Sequence, residues 1–133
     1  MKILIDTNIL ISAILSPTGV ANKAFIKAVS YPNKGFITTQ NIEELQAVFS
    51  RKFPSKMQHL EHFLVTSLSI MELIPIPPQT DNDELHIRDI ADRPILRAAK
   101  KAKVDAILTG DKDFLEAKLL YPATFSPSEF VNL

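Results

Sequence analysis

No cysteine occurs among the 133 residues, which removes disulfides, thiolate nucleophiles and zinc–thiolate sites together and is compatible with a reducing cytosol. Glycine is almost as scarce. Three glycines in the whole chain leave no glycine-rich loop to cradle phosphates, and no nucleophile-elbow motif points to a serine hydrolase. Neither sign of charge is in excess: 15 basic residues balance 15 acidic ones, so no global field draws the protein to nucleic acid, and such binding would rest on local patches. Long hydrophobic runs are missing as well. Asp6 and Asn8 interrupt the apolar start of the chain, whereas a secretory core needs roughly 7 to 15 unbroken apolar residues. Residues 64–76 carry Glu72 and two serines, short of the ~18 uncharged residues that a membrane span requires. A soluble, cytoplasmic protein with no membrane role is the expectation. With 46% hydrophobic residues and no repeat, low-complexity tract or linker, residues 1–133 read as one domain with a real core.

The apolar pattern alternates strands with helices. Ile3-Leu4-Ile5 reads as a buried strand, and Ile9, Leu10, Ala13 and Ile14, then Ala21, Ala24, Phe25 and Ala28, read as two helices broken at Ser16-Pro17-Thr18-Gly19. Phe36-Ile37-Thr38-Thr39 makes a second strand, and Asn41 caps a helix with Ile42, Leu45, Val48 and Phe49 on one face. Pro54 ends it, and a further helix runs over residues 55–71. Residues 73–76 form a third strand whose prolines favour a sheet edge. Residues 79–88 are polar loop, a helix starts near Asp92, residues 104–108 form a strand, and Ala123-Thr124-Phe125 with Ser126-Pro127 adds a last strand and a capped helical turn. This order predicts an α/β fold, a three-layer sandwich with a mostly parallel central sheet.

Two of these strands end in acids: Ile5 is followed by Asp6-Thr7-Asn8, and Leu108 by Thr109-Gly110-Asp111. In a parallel sheet the C-terminal tips share one edge, where such sheets place their sites. Each acid also has a plainer role. Asp6 can cap the first helix, Asp111 or Asp113 the helix after the fourth strand, and Asp92, just before Pro94, the helix it precedes. Glu44 sits where a capping-box partner of Asn41 would stand, with Glu43 more solvated. Taken together they ask for more, because two carboxylates about 4 Å apart repel by roughly 4 kcal/mol at an effective dielectric of about 20. A divalent cation relieves that repulsion, and oxygen-only ligands favour Mg²⁺ or Mn²⁺, which suits phosphodiester hydrolysis.

The ordered set Ile5-Asp6-Thr7-Asn8, Ile42-Glu43-Glu44-Leu45, Arg88-Asp89 to Asp92-Arg93-Pro94-Ile95-Leu96, and Leu108-Thr109-Gly110-Asp111-Lys112-Asp113-Phe114 resembles a PIN domain. The likeness spans about residues 2–130 and is greatest to the small bacterial PIN proteins that form the toxin half of toxin–antitoxin pairs. It implies a metal-dependent endoribonuclease with Asp6, Glu44, Asp92 and Asp111 as catalytic acids. Asp6, Asp92 and Asp111 would hold Mg²⁺ or Mn²⁺, Glu44 would orient the attacking water, and Asn8, Thr109 and Asp113 would support the site, Asn8 by hydrogen bonding to Asp6. It also implies a homodimer and an antitoxin partner. One feature departs from the family: Ile90 and Ala91 stand between Asp89 and Asp92 where similar proteins often carry a proline and an acid.

For the RNA substrate, Arg93 and Lys112 lie nearest the acids, with Arg51, Lys52 and Lys56, and Arg97, Lys100, Lys101 and Lys103, as more distant basic clusters. Most such clusters are merely solvated faces. His59 and His62, spaced as a pair on a helix, lack a third ligand, and His86 is in a loop. Two rival readings are a phosphoacceptor receiver, which also gathers acids and Mg²⁺ at strand ends, and a PIN fold without catalysis that serves as a scaffold for a protein partner.

Overall fold

The computed structural model describes residues 1–117, 119 and 121–133. Five strands, β1 (Lys2–Ile5), β2 (Lys34–Thr38), β3 (Met71–Ile74), β4 (Ala106–Leu108) and β5 (Ala123–Phe125), pair in the order β3-β2-β1-β4-β5, and every pairing is parallel. The central strand β1 presents Ile3, Leu4 and Ile5 with no exposure at all. That is the composition of a strand covered on both faces.

Alternation along the strands divides the core in two. Ile3, Ile5, Ile37 and Leu108 face one apolar cluster, whereas Leu4, Phe36 and Ile107 face the other, as the twofold side-chain period requires. Helices α1 (Thr7–Leu15), α2 (Val20–Val29), α3 (Thr39–Lys52), α4 (Met57–Ser67) and α7 (Pro127–Val131) cover the first face through residues such as Leu10, Phe25, Phe49, Leu60 and Phe130. Helices α5 (Arg93–Lys101) and α6 (Lys112–Leu115) cover the second through Ile95, Leu96, Ala99 and Phe114. The result is the expected three-layer α/β sandwich. None of the described helices is long and apolar enough to cross a membrane.

The chain runs outward from β1 through β2 to β3, then crosses back to place β4 on the other side of β1. The strand order therefore reverses between β1 and β4, and the crevice at their C-terminal ends is the topological switch point where open α/β sheets bind ligands. This order also separates the chain from the receiver reading, whose doubly wound order is 2-1-3-4-5.

Several boundaries differ from expectation. Pro54 does stop α3, but residues 54–56 form a separate 3₁₀ turn, α4 ends at Ser67, and β3 begins at Met71, earlier than residues 73–76 suggested. β3 is nonetheless the sheet edge, as Pro75, the residue that follows it, implied. Asn41 is not the cap of α3. Thr38 is, and Asn41 reciprocates from the third helical position: its backbone N–H donates to Thr38 Oγ1 at 3.0 Å, while its Oδ1 accepts the Thr38 N–H at 2.9 Å. Within the polar segment, residues 82–86 and 90–92 form 3₁₀ turns.

Candidate active site

Asp6 leaves β1 at the switch point and starts α1, with 4% of its surface exposed. Its backbone N–H donates to Leu108 O at 3.0 Å, joining the tips of β1 and β4. Both carboxylate oxygens are held: the Thr7 N–H donates to Oδ1 at 2.8 Å and the Thr109 hydroxyl donates to Oδ2 at 2.8 Å. Thr109, fully buried at the end of β4, also accepts the Asp111 N–H at 3.0 Å. Burial pushes the Asp6 carboxyl up to about 6 against those two hydrogen bonds, and the charges of Glu44 and Asp111 push in the same direction.

Asp92 contradicts its plainest reading. It occupies the position before α5, yet its side chain makes no capping hydrogen bond. Among the described residues its Oδ2 is the one buried side-chain atom without a hydrogen-bond partner. Burial first, then a carboxyl–carboxyl contact with Asp111 and the charges of Asp6, Asp111 and Asp89, push it up to about 8. Asp111 itself caps α6 through the Asp113 N–H at 2.8 Å.

Glu44, one helical turn into α3, is half-buried, while Glu43 beside it is exposed. Glu44 does not serve a capping box. Its Oε1 accepts from Gln40 Nε2 at 2.8 Å, and the same amide donates to Ala91 O at 2.9 Å. Asp6, Glu44, Asp92 and Asp111, from four separate elements, thus converge at one end of the sheet.

Supporting residues differ from expectation in detail. Asn8 does not bond to Asp6; its Oδ1 accepts the Gly110 N–H at 3.1 Å, so it ties the α1 start to the turn after β4. Asp113 pairs with Arg88 at 3.6 Å. Arg93 commits its Nε to Ile87 O at 3.0 Å, while Lys112 is exposed. Arg97 and Lys100 are engaged elsewhere, with Glu84 at 3.1 Å and with Asp81 and Asp83 at 3.0 and 2.6 Å. Asp89 is exposed and caps the 3₁₀ turn at 90–92. His59 and His62 lie exposed on α4. Four residues were not read from the sequence as contributors to the site: Gln40, Arg88, and the buried pair Asn41 and Thr7, joined Nδ2 to Oγ1 at 2.8 Å. Only the Thr38–Asn41 spacing carried a local signal.

The carboxylates fit a divalent cation by charge. A buried, unpartnered Asp92 Oδ2 beside a second carboxylate is costly unless a proton or a cation lies between them. Among the described residues, no three His, Asp or Glu side chains already stand around one point closely enough to hold an ion.

Residues 2–113 match the PIN domain family. No curated protein sequence gives a significant match. Among solved structures, VapBC2 from Rickettsia felis, bound to a DNA fragment from its promoter, has a chain 19% identical to this one with a TM-score of 0.70, covering 95% of this chain and 98% of that one. FitAcB from Neisseria gonorrhoeae is 22% identical with a TM-score of 0.65 and the same coverage. VapC20 from Mycobacterium tuberculosis, a sarcin-ricin loop cleaving toxin, is 13% identical with a TM-score of 0.64, over 89% of this chain and 96% of that one. At these identities the likeness is one of fold.

Proposed function

Because this chain belongs to the PIN-domain family, we propose that it is a Mg²⁺- or Mn²⁺-dependent endoribonuclease that hydrolyses RNA phosphodiester bonds and acts as the toxin of a toxin–antitoxin pair. The observation that carries this reading is the convergence of Asp6, Glu44, Asp92 and Asp111 at the β1/β4 switch point, where burial, and then the neighbouring acids, raise Asp6 and Asp92. Four acids so placed repel one another and a phosphate alike, and they make chemical sense around a cation. The RNA-cleaving activity named for VapC20 supports RNA as the substrate. The VapBC2 and FitAcB neighbours support a protein antitoxin, and a homodimer and a cytoplasmic location belong to the same proposal.

Asp6, Asp92 and Asp111 are the residues that would hold the ion. When bound, Mg²⁺ or Mn²⁺ supplies Lewis-acid stabilisation of charge on the phosphate oxygens and lowers the pKa of an attacking water. Glu44, held in place by Gln40, would orient the attacking water and accept its proton. Thr109 keeps the Asp6 carboxylate aimed by donating to its Oδ2. Exposed Lys112 is the freer of the two candidate phosphate contacts, since Arg93 already donates to Ile87 O.

The deciding experiment incubates purified protein with single-stranded RNA in Mg²⁺, in Mn²⁺ and in EDTA. Cleavage with either ion, and none in EDTA or with Asp6→Asn, is the expected result. Cleavage that survives both EDTA and Asp6→Asn would overturn the assignment.

A further inference from the structure

One amide bridges two of the elements that carry the acids. Gln40 lies in the first turn of α3, and its Nε2 donates one hydrogen to Glu44 Oε1 at 2.8 Å and the other to Ala91 O at 2.9 Å, 51 positions along the chain. Ala91 directly precedes Asp92, whose own carboxyl neither caps α5 nor finds a partner for Oδ2. Apart from its contact with Asp111, Asp92 is therefore placed by its backbone. The local ties on that backbone are the 3₁₀ turn bond from Asp92 N–H to Asp89 O at 3.1 Å, the Ala91 N–H to Asp89 Oδ1 at 3.0 Å and Arg93 Nε to Ile87 O at 3.0 Å. All three lie within the segment itself. Two ties reach it from other acid-bearing elements: the exposed Arg88 pairs with Asp113 of α6 at 3.6 Å, and Gln40 of α3 bonds the backbone carbonyl directly before Asp92.

The choice of residue follows from charge. Two donors on one atom are needed between a carboxylate and a carbonyl. Glutamate would add a further negative charge and bring no donor, and lysine would place a cation beside the acids. Glutamine donates twice and carries no charge.

We propose that Gln40 is a positioning residue for the carboxylate site: its amide fixes Glu44 and the Asp92 turn at a set spacing across the gap between α3 and the start of α5. In its catalytic part this rests on the nuclease reading above. A staple of this kind acts on kcat, because small misplacements of groups around a reacting phosphate are expensive while substrate contacts elsewhere are untouched.

The test uses the full chain and three readouts. Gln40→Met keeps the side-chain length and removes both donors; Gln40 is half-buried at the helix surface, so the thermal transition is expected to stay near that of the parent. In metal-free protein, hydrogen exchange of the amides at 89–92 should rise in Gln40→Met. It should rise equally in the Gln40→Glu, Glu44→Gln double variant, which restores the bond within α3 but cannot donate to Ala91 O. On an RNA oligonucleotide with Mn²⁺, Gln40→Met should lower kcat by about tenfold to a hundredfold, the usual effect of removing a group that orients a ligand, with KM within about twofold. Unchanged exchange at 89–92 overturns the proposal, as does raised exchange with an unchanged kcat. Parent protein that cleaves no RNA with any divalent ion refutes the nuclease reading instead, and the exchange result still decides whether Gln40 holds the turn.

Discussion

Asp6→Asn is the substitution whose effect on stability reveals most, because Asp6 is the most buried of the four acids and its carboxyl titrates near 6 rather than at 3.8. A carboxyl raised in the folded state favours folding when protonated. Its contribution is therefore complete below 3.8 and is lost as pH rises through about 6. At 1.36 kcal/mol per pH unit, the gap between 3.8 and about 6 amounts to about 3 kcal/mol lost from the metal-free protein by pH 8. Asparagine is neutral at every pH and removes that cost, but its amide nitrogen replaces an oxygen that accepts the Thr109 hydroxyl at 2.8 Å, which returns roughly 1 kcal/mol. The expected net effect is a gain of about 1 to 2 kcal/mol at pH 8 in EDTA, shrinking to nothing or reversing below pH 4. Urea denaturation of both proteins in EDTA at pH 4 and pH 8 measures it. Adding Mn²⁺ at pH 8 should stabilise the parent protein and not the variant, reversing their order. If Asp6→Asn is less stable than the parent at pH 8 in EDTA, burial and the neighbouring acids do not penalise the Asp6 charge, and the electrostatic account of the site is wrong.

Three further substitutions probe the scaffold. Thr109→Val removes the hydroxyl that bonds both Asp6 Oδ2 and the Asp111 N–H; a loss of about 2 kcal/mol in urea denaturation is expected, since both partners are left short of a bond inside the protein. Lys103 holds a φ of 56° just past α5, with its N–H and that of Val104 returning to Lys100 O and Ala99 O, so Lys103→Gly should stabilise by about 1 kcal/mol, seen as a raised thermal midpoint. Arg97→Met removes the cation paired at 3.1 Å to Glu84, which is 3% exposed, and leaves that carboxylate with the Asp81 N–H at 2.6 Å as its remaining partner; a loss of about 3 kcal/mol in urea denaturation at neutral pH is expected.

What could be read from the sequence was local in origin. The strand tips carrying Asp6 and Asp111, the edge position of β3 and the capped final turn at Ser126 each follow from a few neighbouring residues, and each is present. The errors arose where two adjacent signals competed. Asn41 and Thr38 both suit a helix start, and only the buried bond from Asn41 Nδ2 to Thr7 Oγ1 decides which one caps and which reciprocates. Asn8 lies beside Asp6 in the chain, but the α1 start turns its amide toward Gly110. Asp92 looks like a cap because Pro94 follows it, and it fails to be one because its oxygens face Asp111 instead of the helix. Gln40 was invisible for a simpler reason. Its distant partner is a backbone carbonyl, a group every residue possesses, so no side-chain pattern could announce the contact.

Binding of Mn²⁺ in solution tests the central claim most directly. Calorimetric titration of the metal-free protein at pH 7.5 should give saturable binding with release of protons, because burial and the neighbouring carboxylates push Asp92 up to about 8 and a cation must displace its proton. Asp92→Asn should abolish both the heat and the proton release. Parent protein that takes up no Mn²⁺, or binds it equally well without Asp92, would contradict the account.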